Sequence, residues 1–313
     1  MTQRLQATTL AVLGTLLAAM VLTGCGGGDD GGDKLSGEIQ IAGSSTVYPI
    51  SMAMAEEFSK LHPNVKVSVS STGTGGGFKN FFIPGKTDIN DASRPIKSSE
   101  VDKCREKGIE PIELTVGIDA LSMVANKESN WTDSMTFAQL KRIWGPDNPP
   151  AKWNEVDASW PDAKLELYGP ASTSGTFDYF TETVIGKGGA HRSDYHKTEH
   201  DNVIVQGIQG NKYALGYFGF AYYVSNKDKI KAMAIDGGKG PVKPSLANAQ
   251  SGAYPLSRPL FIYVSSKALD KPHVKAFVEF YIRKSATELV SQVGYVPITD
   301  AQMTGNLAKI GVK

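Results

Sequence analysis

The sequence predicts an α/β clamshell of two lobes, in which each lobe is a mainly parallel sheet flanked by helices and the ligand lies in the cleft. Two observations carry this prediction. A strand, a hydroxyl-rich loop and a helix follow one another twice within residues 38–83, and this order favours parallel strands covered by helices. Beyond them, a long middle region precedes a last strand and two helices, which we expect to return to the first lobe. Roughly 275 folded residues are enough for two lobes with sizeable cores.

The first strand–loop–helix unit follows from alternation and helical spacing. Residues 38–42 alternate between polar and apolar side chains, which predicts a strand, and a hydroxyl-rich loop follows at residues 43–49. Apolar residues at helical spacing predict a helix over residues 50–61, and Pro63 ends it. Strict alternation over residues 65–70 predicts the second strand.

The second unit leads into a middle region with its own elements. A glycine-rich loop precedes a short predicted helix at residues 78–83, and residues 88–93 are typical of a strand. Further elements are predicted at residues 120–125, 136–144, 164–168 and 177–185, then a buried strand at 213–224, a strand at 258–265 and helices at 274–282 and 286–293. We assign residues 36–115 and 255–313 to the first lobe and residues 116–254 to the second.

The N-terminus has the pattern of a lipoprotein signal peptide. Arg4 precedes an uncharged apolar run over residues 10–22, which is shorter than the ~20 residues that a membrane-spanning helix needs. The sequence Leu-Thr-Gly-Cys ending at Cys25 resembles a bacterial lipobox, in which the cysteine becomes the lipidated first residue. We therefore predict that residues 1–24 are cleaved and that Cys25 is lipidated. Residues 25–35 would be a flexible tether to a bacterial membrane, in the periplasm or at the cell surface.

Composition limits the remaining partners. The chain of 313 residues carries a net charge of +1, so its charge does not indicate nucleic acid as a partner. If Cys25 is lipidated, Cys104 has no intramolecular partner, and its charged surroundings predict a lone surface or half-buried thiol. We expect a monomer with no metal and no cofactor.

Three glycine- and hydroxyl-rich loops carry the functional signal. They lie at residues 43–49, 71–78 and 172–177, and each stands where a helix can begin. The first turn of a helix has N–H groups without intrahelical partners, together with the positive end of the helix dipole. Such a site binds a tetrahedral oxyanion, and in parallel α/β sheets these loops meet beyond the carboxyl ends of the strands. The sequence therefore predicts one small anion enclosed mainly by neutral donors.

From about residue 35 onward, the order and spacing of these loops resemble the periplasmic phosphate-binding proteins of ABC phosphate importers (PstS type), which have the type II periplasmic-binding-protein fold. Residues 91–95 (Asp-Ala-Ser-Arg-Pro), Trp144-Gly145 and residues 254–260 share the resemblance. It implies a two-lobed clamshell that closes on dehydrated inorganic phosphate and delivers it to an ABC permease in the cytoplasmic membrane. It also implies that the protein performs no catalysis.

The resemblance further implies which residues contact phosphate. Both lobes would supply hydroxyl and backbone N–H donors, and one cation would complete the site. The set carried over is Ser45, Thr46 and the Val47 amide from the first loop, Thr74 and Gly75 from the second, Ser93 and Arg94 beside them, and Ser174, Gly175 and Thr176 from the opposite lobe.

One departure concerns the acceptor for the proton that phosphate carries. Well-known members have a carboxylate at about the position of Ser93 and an arginine just before the Ser-Gly-Thr motif. This chain has neither there, and Arg94 supplies a cation instead. A carboxylate accepts a hydrogen bond from protonated phosphate and repels sulfate, so we expect Asp178 or Asp201 to replace it. The alternative is that Asp178 only favours the start of its helix and Asp201 only caps a turn.

Other functions stay open. The chain could bind another oxyanion such as sulfate or molybdate, or act as a phosphate-sensing lipoprotein. A phosphate-ester hydrolase is the rival class, but Gly-x-Ser-x-Gly is absent around Ser45 and Ser174. His191, His196 and His200 lie close together in sequence, but spacing alone is weak evidence for zinc. We expect these histidines at the surface.

Overall fold

The computed structural model of the protein describes residues 35–172, 174–198 and 200–312. The predicted signal peptide, the lipidation of Cys25 and nearly all of the predicted tether lie outside these residues. Among the residues that are described, no helix combines the length and the apolar character needed to cross a membrane.

The strands belong to a large mixed sheet and a small one. They are β1 Gly37–Gly43, β2 Val65–Ser71, β3 Ile89–Ala92, β4 Pro111–Ala125, β5 Ser134–Thr136, β6 Glu166–Pro170, β7 His196–Thr198, β8 Ala214–Gly219, β9 Lys231–Ala232, β10 Ala234–Asp236, β11 Pro241–Val242 and β12 Ser257–Ser265. The large sheet has the order β2-β1-β3-β12-β4-β8-β6-β7, with β9 paired to β4 beside this path. The small sheet has the order β11-β10-β5.

Helices cover the large sheet, and three of them begin at the hydroxyl-rich loops. The α-helices are α1 Tyr48–Leu61, α2 Thr74–Gly77, α3 Ser98–Glu106, α4 Phe137–Trp144, α5 Gly175–Phe180, α6 Asp201–Gly210, α7 Phe220–Asn226, α8 Leu246–Gln250, α9 Pro272–Ser285, α10 Glu288–Gln292 and α11 Asp300–Lys309. α2 continues as a π-helical turn over Phe78–Phe82, and α5 continues in the same way over Thr181–Ile185. The loops therefore precede α1, α2 and α5, as the sequence predicts.

The pairing of the strands confirms the two-lobed α/β fold. β1 pairs in parallel with β2 and β3, and β6 pairs in parallel with β7 and β8. Between these groups, β12 and β4 run antiparallel to their neighbours. We call the group of β1, β2 and β3 with its helices the first lobe, and the group of β6, β7 and β8 with its helices the second lobe. β4 and β12 connect the two.

Each lobe has its own apolar core. The first core contains Ile39, Ile41, Ile50, Phe58, Leu114, Val116, Ile262, Phe277 and Tyr281, among others. The second contains Leu121, Met123, Trp144, Trp153, Leu167, Phe180, Leu215 and Tyr217, among others. β4 contributes side chains to both cores, so this strand ties the two lobes together.

The length of β4 was underestimated. An element was predicted only at residues 120–125, whereas β4 covers Pro111–Ala125. Residues 116–125 are buried throughout, so both faces of the strand are covered and its side chains need not alternate.

The buried strand expected at residues 213–224 is wrong in its second half. β8 ends at Gly219, and α7 begins at Phe220. Phe220 and Tyr223 lie three residues apart and pack in the same apolar cluster. Tertiary packing at helical spacing therefore overrides the strand preference of these aromatic residues.

Cys104 is more buried than expected. Its side chain is completely buried on α3, in a cluster with Phe78, Phe82 and Tyr263. The surface or half-buried thiol that the charged sequence suggested is therefore wrong. The charged neighbours of Cys104 lie on the exposed part of the helix, and the cysteine itself faces the apolar core.

The three histidines differ in how exposed they are. His196 and His200 are exposed, as predicted. His191 is instead half-buried against the rings of Trp144, Phe177 and Tyr195, so the exposed position expected for it is wrong. This burial lowers the pKa of His191 to about 4, and the side chain is therefore neutral at pH 7.

Candidate functional site

The first loop leaves β1 through a glycine that no other residue could replace. Gly43 has a φ of +144°, and a Cβ at this position would lie 2.1 Å from the Asp91 carbonyl oxygen. The Ser44 N–H donates to that same carbonyl at 2.9 Å, and the Ser44 hydroxyl accepts from the Thr46 N–H at 3.2 Å. These contacts hold Ser45 and Thr46 directly before α1, where backbone N–H groups lack helical partners.

The second loop packs backbone to backbone against the first. Gly73 adopts a φ of +73° before α2. A Cβ on Gly77 would lie 2.7 Å from the Gly43 Cα, so only glycine permits this approach. The Thr74 hydroxyl accepts from the Ser93 N–H at 3.1 Å and lies 3.2 Å from the Ser93 hydroxyl. Ser93, at the end of β3, is thereby joined to the start of α2.

The third loop belongs to the second lobe and reaches the first lobe across the cleft. The Ser174 hydroxyl caps α5 by accepting from the Thr176 N–H at 3.2 Å. A Cβ on Gly175 would lie 3.1 Å from the Thr46 hydroxyl oxygen and 3.4 Å from the Thr46 Cα. The start of α5 therefore contacts the start of α1, and the lobes are closed on each other at this point.

A cavity of about 350 Å³ lies among these loops. Hydroxyl groups and glycine backbone line it from the first lobe, and charged side chains line it from both lobes. Its walls are Ser44, Ser45, Thr46, Gly73, Thr74, Gly75, Ser93, Arg94, Asp178, Glu182 and Arg258. Six of the residues predicted from the sequence to contact phosphate, together with Asp178, are thus brought to one cavity.

The remaining predicted residues lie around this cavity. Val47 is completely buried beneath the first loop. Gly175 packs on Thr46, as described above, and Ser174 caps the helix behind it. Thr176 lines a neighbouring cavity of about 510 Å³, together with Asp119 and Asp201. Asp201 begins α6 there, so it lines the neighbouring cavity with Thr176 of the third loop and not the cavity of the first two loops.

Arg94 enters the cavity with its charge already paired. Its Nη1 and Nη2 atoms donate to the two carboxylate oxygens of Glu100, each at 2.9 Å, and Nη1 also donates to the Pro95 carbonyl oxygen at 3.0 Å. Burial of Glu100 opposes its ionisation, but the hydrogen bonds from Arg94 and from the Lys97 backbone hold its pKa below the ordinary value. Glu100 is therefore ionised at pH 7 and offsets the charge of Arg94.

Arg258 is a second cation at the cavity, and the sequence analysis missed it. It lies at the start of β12, where its Nε and Nη2 atoms donate to the Asp119 Oδ2 atom at 3.3 and 3.2 Å. Its Nη2 atom lies 3.4 Å from the Thr46 hydroxyl oxygen, and its guanidinium carbon lies 4.0 Å from the ring centre of Tyr179. An arginine at the start of an otherwise apolar strand was the signal available in the sequence.

Two carboxyl groups at the site have pKa values raised by burial. Burial raises the pKa of Asp119, and Arg258 opposes that shift. Burial likewise raises the pKa of Asp178, with a smaller opposing effect from Arg258. A carboxyl group whose pKa is raised in this way is suited to share a proton with a ligand.

The chemistry of this donor set fits a small oxyanion. Hydroxyl groups, backbone N–H groups at helix starts and two arginines all donate hydrogen bonds, and Asp178 can accept one. Within the described part of the chain, no group of His, Cys, Asp and Glu side chains is arranged to hold a metal ion.

Proteins of similar sequence and structure include phosphate-binding proteins. A profile of the PBP superfamily domain matches residues 28–285. Protein SphX of Synechocystis sp. is 46% identical over 88% of this chain and 82% of its own length. Phosphate-binding protein PstS of Staphylococcus haemolyticus is 39% identical over 90% of each chain. The crystal structure of a possible phosphate binding protein from Planctomyces limnophilus superposes with a TM-score of 0.84 at 44% identity, covering 88% of this chain and 98% of that one.

Proposed function

Since the chain belongs to the phosphate-binding proteins of the PBP superfamily, we propose that it binds inorganic phosphate in its cleft and delivers it to an ABC permease. The observation that carries this proposal is the meeting of the first two loops, Ser93 and Arg94 around one cavity of about 350 Å³. Its hydrogen-bond donors suit a small tetrahedral anion, and Asp178 and Glu182 line it from the second lobe.

Closure of the lobes is the mechanism. The contact between Gly175 and Thr46 removes water from the anion, so hydrogen bonds to its charge act in a low dielectric and are strong. Phosphate interacts with both lobes only when they are closed, and it therefore shifts the population from open to closed. The permease would then distinguish the loaded protein by its closed shape. This function is transport by binding, with no catalytic step.

The direct contacts are proposed residue by residue. We assign donation to phosphate to Ser45, Thr46, the Val47 amide, Thr74, Gly75, Ser93 and Arg94 from the first lobe, and to Ser174, Gly175 and Thr176 from the second. We assign the proton acceptor to Asp178 rather than Asp201, because Asp178 lines the same cavity as Arg94 and Thr74. Asp201 lines the neighbouring cavity.

Cellular location and domain limits complete the proposal. The first lobe would comprise residues 36–115 and 255–313, and the second lobe residues 116–254. A lipid on Cys25 would hold the monomeric protein at a bacterial membrane, in the periplasm or at the cell surface. This position outside the cytoplasm is where a binding protein meets both its anion and its permease.

Titration calorimetry tests the proposed ligand. Residues 34–313, which form one compact unit, would be unfolded and refolded to strip bound anion and then titrated with phosphate and with sulfate. Tight phosphate binding with no heat from sulfate supports the proposal. Binding of both anions moves the function to a less selective oxyanion carrier, and binding of neither rejects an oxyanion ligand.

A further inference from the structure

We propose that Arg258, held in place by Asp119, is the cation that pairs with the bound anion in this chain. The inference rests on the proposed function and specifies which charged group serves it. The family resemblance of the sequence pointed to Arg94, but the two arginines that line the cavity differ in burial and in how closely their carboxylate partners hold them.

The charge of Arg94 is compensated before any ligand binds. Glu100 accepts from both of its terminal nitrogens at 2.9 Å, in the two-pronged geometry that is strongest for this pair. The side chain of Arg94 is also 31% exposed, so water screens what charge remains. Arg94 therefore offers the cavity hydrogen-bond donors, but little net positive charge.

Arg258 is more buried, and its hydrogen bonds to carboxylate oxygens are longer, at 3.2 to 3.5 Å. Its side chain is 15% exposed, and Asp119, which is 5% exposed, accepts from only one edge of the guanidinium group through a single oxygen. The contact of the Nη1 atom with Glu182 spans 3.5 Å, the outer limit of a hydrogen bond, and Glu182 is 59% exposed. The Nη1 atom of Arg258 thus has donor capacity left for an anion in the cavity that it lines.

The position of the pair in the sheet fixes this geometry. Arg258 on β12 and Asp119 on β4 are directly opposite each other in the antiparallel ladder that connects the lobes. From there the guanidinium group touches Thr46 in the first lobe and stacks on Tyr179 in the second. An anion bound to Arg258 is therefore attracted to the point where both lobes meet, which favours the closed state.

The chemistry of Asp119 suits a positioning role. Burial opposes the ionisation of this carboxyl group, and the adjacent guanidinium group favours it. The ion pair orients the planar fork of Arg258 toward the cavity, which a lysine could not reproduce because its charge is a flexible point. We therefore place Asp119 behind the arginine and not in contact with phosphate.

Calorimetry with inorganic phosphate on the refolded chain of residues 34–313 tests this. We expect R258Q to bind phosphate ~30-fold or more weakly than the unsubstituted chain, because it removes a partner of a buried charge pair. We expect R258K to lose at least ~10-fold, and R94Q to lose less than R258K. R283Q is the matched control, since Arg283 pairs with Glu279 on the surface of α9, and it should bind as the unsubstituted chain does.

A double-mutant cycle separates positioning from general destabilisation. The variant D119N should weaken phosphate binding in the presence of Arg258, but it should add nothing to R258Q, because it acts through the arginine. The double variant also lacks the unpaired buried carboxylate, so it remains informative if R258Q folds poorly. R258Q within ~3-fold of the unsubstituted chain, or D119N and R258Q effects that add fully, would overturn the inference while the proposed function stands. Loss of phosphate binding in the unsubstituted chain would instead reject the proposed function, and this inference with it.

Discussion

Gly175 of the second lobe lies directly on Thr46 of the first, so that a Cβ at position 175 would be 3.1 Å from the Thr46 hydroxyl oxygen. This distance is shorter than an ordinary carbon–oxygen contact. Gly175 is therefore required for the closed cleft and not for the conformation of its own backbone, which has no positive φ. Closure of the two lobes at this point therefore depends on the absence of a side chain at position 175.

We predict that G175A weakens phosphate binding by about 5- to 150-fold, because overpacking costs about 1–3 kcal/mol and the added methyl group is crowded only in the closed state. Calorimetry would measure the affinity, and small-angle scattering would measure closure on adding phosphate. G305A is the matched control, since Gly305 lies in α11 with open space around it. Unchanged affinity in G175A would mean that the lobes do not approach this closely when phosphate is bound.

Asp178 is predicted to set the preference for phosphate over sulfate. A carboxylate can accept the proton of phosphate but only repels fully ionised sulfate, whereas an amide can donate to either. The variant D178N should therefore bind phosphate more weakly and sulfate more strongly. The dissociation constant for sulfate divided by that for phosphate should fall by at least ~10-fold. Competition of each anion against a phosphate-loaded protein would measure this ratio.

Two further substitutions make that test decisive. Asp201 is the rival acceptor, and D201N should leave the ratio nearly unchanged if Asp178 is the acceptor. D162N is the control for removing a carboxylate, because Asp162 pairs with Lys152 at the surface. A loss of selectivity in D201N alone would transfer the acceptor role to Asp201 and to the neighbouring cavity.

Much of the first lobe was predictable because local pattern decides it. Alternation located β1 and β2 to within one residue at each end. The loops before α1 and α2 were recognisable because glycine and hydroxyl residues have specific roles at helix starts. The long β4 was not predictable in the same way, since residues 116–125 are buried on both faces and carry no alternating signal.

The charged part of the site depended on pairs that are distant in sequence. Arg258 meets Asp119 across 139 positions of sequence, and nothing near either residue indicates the other. In contrast, Arg94 follows a recognisable strand end and was proposed from the sequence, and it lines the cavity, but its pairing with Glu100 was not predicted. The loops at the helix starts could therefore be recognised in the sequence. Which carboxylate pairs with each arginine could be read only from the tertiary structure.

Cys104 is predicted to be unreactive in the folded protein. Burial raises the pKa of its thiol to about 11, with smaller effects from nearby Glu100 and Glu110, so almost no thiolate exists at pH 8. The side chain is also completely buried, so a reagent cannot approach it. A chromogenic disulfide reagent added to residues 34–313 should release its colour only after denaturant is added. Rapid release without denaturant would show that α3 opens readily.

Asp91 connects the interior of the first lobe to the anion loop. Its carboxyl group is 1% exposed, its Oδ1 atom accepts from the Ser51 hydroxyl at 2.8 Å, and its Oδ2 atom has no partner among the described residues. The Ser51 hydroxyl is in turn 2.9 Å from the Tyr281 hydroxyl on α9. Burial raises the pKa of Asp91 to about 8, and the hydrogen bond from Ser51 opposes the shift only partly. The folded protein therefore holds this carboxyl group in its neutral form at pH 7.

We predict that Asp91 makes the protein less stable as pH rises. The folded pKa of about 8 lies above the ordinary value of 3.8, so the protonated group contributes its full stability below pH 4 and that contribution is lost as pH rises through 8. The variant D91N has no proton to lose, so its free energy of unfolding should gain on that of the unsubstituted chain between pH 5 and pH 8. Urea unfolding at several pH values would measure this difference. Parallel curves for the two proteins would show that Asp91 ionises normally, which would require water or a counter-charge to reach its Oδ2 atom.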